Sequence, residues 1–213
     1  MLPTLLPGLY LRDPQGTALG RRLLAGSVQL LDELGFEAFT FKKMAALLGS
    51  TEASLYRYFE NKHQLLTYLV SWHWARLRLR LRFAVANLPD PREQLRRALA
   101  VVCRADHDDL ATPGFDEAAL YRIVVAEASK SYLTREVDAD NRAGMFREYK
   151  LLAADVVAVV TAINPAYPYP HALASTLLEM ARKQLFFAEH LPSLTTARPV
   201  VEFLEHLALA ALA

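Results

Sequence analysis

Apolar residues return at three- and four-residue steps through most of this chain, and the interruptions are glycine and proline rather than alternating strands. Leu19, Leu23, Leu24, Val28, Leu31 and Leu34 keep that spacing and stop at Gly35, which predicts a first helix. Phe41, Met44, Ala45 and Leu48 share one face of a second helix whose other face carries Lys42 and Lys43. Thr40 stands where that helix needs an N-cap, and Gly49 where a left-handed C-cap falls without steric cost. Ser50 and Thr51 offer the next cap, and a third, short helix is predicted from Glu52 to about Tyr58, anchored by Leu55 and Phe59. Asn61 then caps a long helix from Lys62 that carries Leu65, Leu66, Leu69, Val70, Leu77, Leu81 and Val85 and ends before Pro89.

Within that helix Arg76, Arg78, Arg80 and Arg82 alternate with leucines and taken alone would fit a strand. Helical pattern on both sides favours helix, with Arg76 and Arg80 on one face and Arg78 and Arg82 on another. These arginines are expected to pair with carboxylates of the second half of the chain. Two prolines in Leu88-Pro89-Asp90-Pro91 mark the expected boundary between halves. Beyond it, helices are predicted over 91–109, 115–133, 134–163, 171–190 and 199–212, with breaks at Pro113-Gly114, Asn164-Pro165 and Tyr167 to Pro170. The fold class is therefore all-α. Ala174, Leu177, Leu178, Ala181, Leu185 and Ala188 form one band, and Val200, Phe203, Leu204, Leu207, Ala208 and Leu212 another, more apolar surface than one helix pair needs.

Composition narrows the setting. The 213 residues are 53% hydrophobic, enough for a substantial core. A single cysteine, Cys103, excludes an internal disulfide framework and fits a reducing cytoplasm. The opening residues are broken by Pro3, Pro7, Gly8 and Pro14 and lack the basic start of a signal peptide; no run approaches the length of a membrane span. A soluble cytoplasmic protein with no membrane partner is expected. The net charge of +1 conceals an asymmetry, since residues 12–87 hold 11 Lys/Arg against 6 Asp/Glu and the remainder 13 against 17. A basic first half beside an acidic second half suits a nucleic-acid module joined to one with another task.

Catalytic chemistry finds little support. Asp106, His107, Asp108 and Asp109 are the residue types of a metal site, but neighbours on a helix point in different directions. The histidines show no metal-ligand spacing, the glycines no phosphate loop, and the serines no nucleophile elbow. No cofactor, metal or enzymatic activity is expected.

The run Gly49-Ser50-Thr51-Glu52-Ala53-Ser54-Leu55-Tyr56-Arg57-Tyr58-Phe59-Glu60-Asn61-Lys62 resembles the signature of the TetR/AcrR family of bacterial transcriptional regulators: glycine, small residues, Leu-Tyr-x-Tyr-Phe, then x-x-Lys opening a long helix. The resemblance spans roughly residues 16 to 70, while the rest agrees in helicity and size. It implies an N-terminal arm over 1–15, a three-helix helix-turn-helix domain over 16–61, a connecting helix over 62–88 and a larger regulatory and dimerisation domain over 89–213. It implies that Thr40, Tyr56, Tyr58 and Lys62 touch DNA backbone or groove wall, and that Thr51, Glu52, Ala53, Ser54 and Arg57 occupy recognition-helix positions. Glu52 departs from the basic or neutral residue usual there and would repel phosphate unless paired with a cytosine amino group or Lys43.

The expected function is a sequence-specific DNA-binding regulator, a ligand-responsive repressor acting as a homodimer. Its expected partners are a palindromic duplex operator, a second copy of itself and a small-molecule effector. Tyr121, Tyr149, Phe186 and Phe187 are candidate effector contacts, each equally a core residue. The alternatives are a helical protein-interaction module and a helical metal-dependent enzyme using Asp106 to Asp109.

Overall fold

The computed structural model describes residues 8–103, 116–196 and 198–213, and all regular structure among them is helical. The expectations attached to Asp106, His107, Asp108 and Asp109 and to the break at Pro113-Gly114 lie outside the described residues. The helices are α1 (Ala18–Ala38), α2 (Phe41–Leu48), α3 (Glu52–Leu55), α4 (Lys62–Val85), α5 (Pro91–Cys103), α6 (Glu117–Glu127), α7 (Val137–Arg142), α8 (Arg147–Ile163), α9 (Pro170–His190) and α10 (Val200–Ala211). Two compact units emerge: the described parts of Met1–His73 and Asp106–Arg147, and those of Trp74–Ala105 and Glu148–Ala213.

In the first unit the helix ends are set by side-chain caps. Thr17 accepts from the Gly20 N–H and Thr40 from the Lys43 N–H, which satisfies donors that a first turn leaves open. Asn61 accepts from the Gln64 N–H at 2.8 Å and fixes the start of α4. Gly35 (φ 72°) breaks α1 where the pattern stops, and one further helical turn follows before Phe39. Gly49 (φ 59°) closes α2 in the left-handed conformation, and the Ser50 N–H returns to the Ala45 carbonyl at 2.9 Å. The core beneath these turns is Leu23, Leu24, Phe39, Met44, Leu55, Phe59, Leu65, Leu66 and Leu69, all fully buried. α1 lies against both α2 and α6.

Three expectations are revised. α3 ends at Leu55 rather than near Tyr58, because the Tyr58 N–H turns back to the Leu55 carbonyl and the chain leaves the helix. The segment predicted as one helix over 134–163 is divided into α7 and α8. Gly144 (φ 81°) takes the left-handed conformation that ends α7, with the Met145 N–H bonded to the Asp140 carbonyl. Likewise α6 stops at Glu127, and a 3-10 turn over Ala128–Ser131 follows instead of continuing helix to Leu133. The alternating arginines are helical as predicted, and Arg78 pairs with Asp155 at 2.8 Å.

In the second unit α5, α9 and α10 contact one another. Leu95, Ala98, Leu99 and Val102 of α5 are buried, as are Leu173, Ala174, Leu177, Leu178 and Ala181 of α9 and Leu204 and Ala208 of α10. Arg182 is also buried; it pairs with Glu179 and its guanidinium lies 5.1 Å from the Trp74 ring centroid.

Candidate nucleic-acid interface

The face that could meet a duplex is built on α2 and α3. Leu55 and Phe59 are fully buried and Phe41 nearly so, so the short α3 is pinned by its inward side. Outward stand Thr51, Glu52, Ala53 and Arg57, all exposed, with Ser54 half-buried. The Thr51 hydroxyl accepts from the Ser54 N–H at 3.3 Å and shares a hydrogen bond with the Ser54 hydroxyl at 2.9 Å, so cap and recognition position are one linked pair. Arg57 has no carboxylate or carbonyl partner among the described residues, which leaves its five donors for a bidentate acceptor such as the guanine edge. Glu52 is exposed in the first turn of α3, where the macrodipole favours a carboxylate; Lys43, its anticipated partner, donates to the Ala38 carbonyl at 2.9 Å.

The flanking positions divide. Thr40 is exposed and caps α2, and Tyr56, 47% exposed, rests edge-on against Phe41 with ring centroids 4.9 Å apart. Tyr58, expected at the groove wall, is instead 2% exposed, and its hydroxyl shares a 2.7 Å hydrogen bond with the Thr17 hydroxyl at the start of α1. The reason is the early end of α3: the chain turns after Leu55 and carries Tyr58 inward beside Phe59. Lys62, expected on phosphate, has its ammonium on the carbonyls of Phe36 at 2.9 Å and Glu37 at 3.2 Å. Sequence reading had no signal for that contact, since the partners are 25 and 26 residues away.

An N-terminal contribution was also missed. The Leu11 N–H donates to the Tyr58 carbonyl at 2.8 Å, the Gln64 side chain donates to the Gly8 carbonyl at 3.2 Å, and Leu9 is buried. Residues 8–11 therefore brace the α3–α4 joint. Gly20 allows the approach of Pro14, since a Cβ at Gly20 would stand 2.2 Å from the Pro14 carbonyl oxygen.

The four effector candidates are divided between the two units. Tyr121 belongs to the first unit, 6.2 Å from the His73 ring centroid, and the others to the second. Tyr149 donates its hydroxyl to Glu179 at 2.7 Å and lies 5.2 Å from Trp74, while Phe186 and Phe187 are half-buried neighbours 6.3 Å apart. Burial pushes the Cys103 thiol up to about 12, away from nucleophilic use. Among the described residues no group of three or more His, Cys, Asp or Glu side chains converges to hold a metal, and no helix is long and apolar enough to cross a membrane.

Residues 23–69 match the family model for bacterial regulatory proteins of the tetR family. The match runs from within α1 through α2 and α3 into α4, the segment whose capped turns and buried anchors are described above. No curated protein matches the chain in sequence. Its fold is similar to that of a tetR-family bacterial regulatory protein from Rhodococcus RHA1, with a TM-score of 0.66 at 16% identity over 92% of this chain and 98% of that one. It is similar also to AibR in complex with isovaleryl coenzyme A and operator DNA (TM-score 0.58, 18% identity, 89% and 96% covered). A third likeness is to the ketosteroid transcriptional regulator KstR2 of Mycobacterium tuberculosis (TM-score 0.55, 18% identity, 92% and 95% covered). Residues 23–69 thus carry a match to the tetR family, and the chain has an all-helical fold similar to that of tetR-family regulatory proteins.

Proposed function

We propose that the chain is a sequence-specific DNA-binding transcriptional regulator that acts as a homodimer and represses until a small effector binds its second half. The observation that carries this reading is the two-sided build of α3, with Leu55 and Phe59 fully buried behind it and Thr51, Glu52, Ala53 and Arg57 exposed in front. A four-residue helix cannot hold itself in water, so its fixed direction serves a surface that must be presented in one orientation. Arg57, Ser54 and Thr51 would read base edges, and Thr40 and Tyr56 would meet the sugar-phosphate wall.

Two such helices on successive major grooves need centres roughly 34 to 36 Å apart, a spacing that a two-fold dimer supplies. The second unit offers a surface for it, with Phe203 and Leu207 of α10 and Leu191 and Leu194 beyond α9 exposed. Effector contact is proposed for Phe186 and Phe187, whose rings are half-buried, with Phe186 also 4.6 Å from the His190 ring centroid. The AibR neighbour, bound to an acyl coenzyme A and operator DNA, supports both halves of the reading at the level of shared fold. An effector that favours a spacing unsuited to the two grooves would lower DNA affinity by its differential affinity for the two states.

Selection of bound sequences from random duplex DNA tests the proposal. A palindromic consensus is expected, with binding that weakens steeply as salt rises. Recovery of no enriched sequence would overturn it.

A further inference from the structure

Residues 35–39 turn the chain from α1 into α2, and their main-chain groups are held by side chains from two other helices of the same compact unit. From α4, the Lys62 ammonium donates to the carbonyl oxygens of Phe36 at 2.9 Å, Glu37 at 3.2 Å and Phe39 at 3.5 Å, and stands 4.5 Å from the centroid of the Phe36 ring. From the end of α6, a Glu127 carboxylate oxygen accepts the Phe36 N–H at 3.0 Å, while its second oxygen pairs with Lys130 at 2.9 Å. Lys130 continues to Glu37 at 3.0 Å, and Arg122 makes a two-bond pair with Asp32, one turn before the break, at 2.9 and 2.6 Å. A helix interrupted at Gly35 leaves carbonyls and an amide without intrahelical partners. Those are the groups that Lys62 and Glu127 satisfy, each by a charge-assisted bond.

We infer that Lys62 and Glu127 are positioning residues, which hold the 35–39 corner from two sides and so fix the direction in which α2 and α3 leave α1. Lys62 then acts on the protein's own carbonyls and not on a phosphate. The clamp is a property of the first unit alone, and only its consequence for DNA rests on the proposed function. A Gln at 127 keeps an acceptor oxygen for the Phe36 amide and loses the ion pair with Lys130, whereas an Ala loses both.

The experiment joins two readouts on the full chain. Amide exchange of Phe36, followed by NMR and referred to α9 amides in the same sample, should quicken about tenfold or more in Glu127→Ala and by less than about threefold in Glu127→Gln, given what a hydrogen bond to a charged group contributes. Binding of Lys62→Ala to the selected duplex across a salt series should weaken about tenfold with an unchanged slope of log affinity against log salt. A slope reduced by about 0.9, the release expected for one phosphate contact, would overturn the positioning role. Unchanged Phe36 exchange in Glu127→Ala, or unchanged affinity in Lys62→Ala, would also overturn the clamp. Should Lys62→Ala fail to fold, Lys62→Gln is judged by the same slope. If the unsubstituted chain binds no duplex, the DNA reading fails, and the exchange of Phe36 alone decides whether the clamp exists.

Discussion

α2 and α3 at one end of the chain and α9 and α10 at the other solve the problem of holding a helix in opposite ways. α2 has eight residues and α3 four, below the ~12–15 at which an isolated helix becomes even marginal in water. Each is therefore fixed at its ends, by Thr40, Gly49 and Thr51, and on one side by Phe41, Leu55 and Phe59. α9, with 21 residues, and α10, with 12, have no side-chain N-cap and rely on the apolar faces they turn to each other and to α5. Part of that apolar surface stays open, at Phe203 and Leu207. An element specified end by end presents its free face in one orientation, as a reader of base edges must. An element specified by an apolar face can accept a second copy or a ligand against it.

The contrast can be broken most sharply by comparing two phenylalanines. Phe59→Ala removes a fully buried anchor and should cost roughly 3–5 kcal/mol in urea unfolding. Phe203→Ala, at a site 38% exposed, should stay within about 0.5 kcal/mol when measured at dilution. Equal losses would remove the distinction between the two regions. A smaller effect isolates the caps: a Cβ at Gly49 meets nothing within 4 Å, so Gly49→Ala changes only the left-handed backbone and should cost about 1–2 kcal/mol by thermal unfolding. No loss would mean that the α2 end is not a fixed point.

The smallest effect lies on the surface of the second unit, where the hydrogen bond from Arg97, followed by the charge of Arg96, holds the Glu93 carboxyl below its ordinary range. A lowered folded value makes the contribution present above the ordinary carboxylate pKa and lost as pH falls through the lowered one. The difference in melting temperature between wild type and Arg97→Ala should therefore shrink from neutral pH into the acid range. A difference constant over that range would contradict the pairing.

What could be read from sequence follows the same division. Thr40, Gly49, Thr51 and Asn61 act on neighbours three or four residues away, so their caps were legible, as was the helical period through Arg76 to Arg82. Gly144 is the same kind of signal, and a helix predicted straight through it over 134–163 misses the break between α7 and α8. The bond between Glu127 and the Phe36 amide joins residues 91 apart and leaves no periodic trace; only the glycine at 35 hinted that main-chain groups there needed outside partners. Tyr56 and Tyr58 look equivalent in the motif. Which of them faces inward depends on α3 ending at Leu55, a tertiary outcome of the turn that follows.

The central claim is that the outward positions from Thr51 to Arg57, on α3 and its two ends, carry base recognition while the elements behind them only hold them in place. Repeating the duplex selection with Arg57→Ala tests this directly. The account predicts a consensus that keeps its palindromic form and loses preference at one base pair per half-site, worth about 1–3 kcal/mol there. An unchanged consensus bound uniformly more weakly would contradict it.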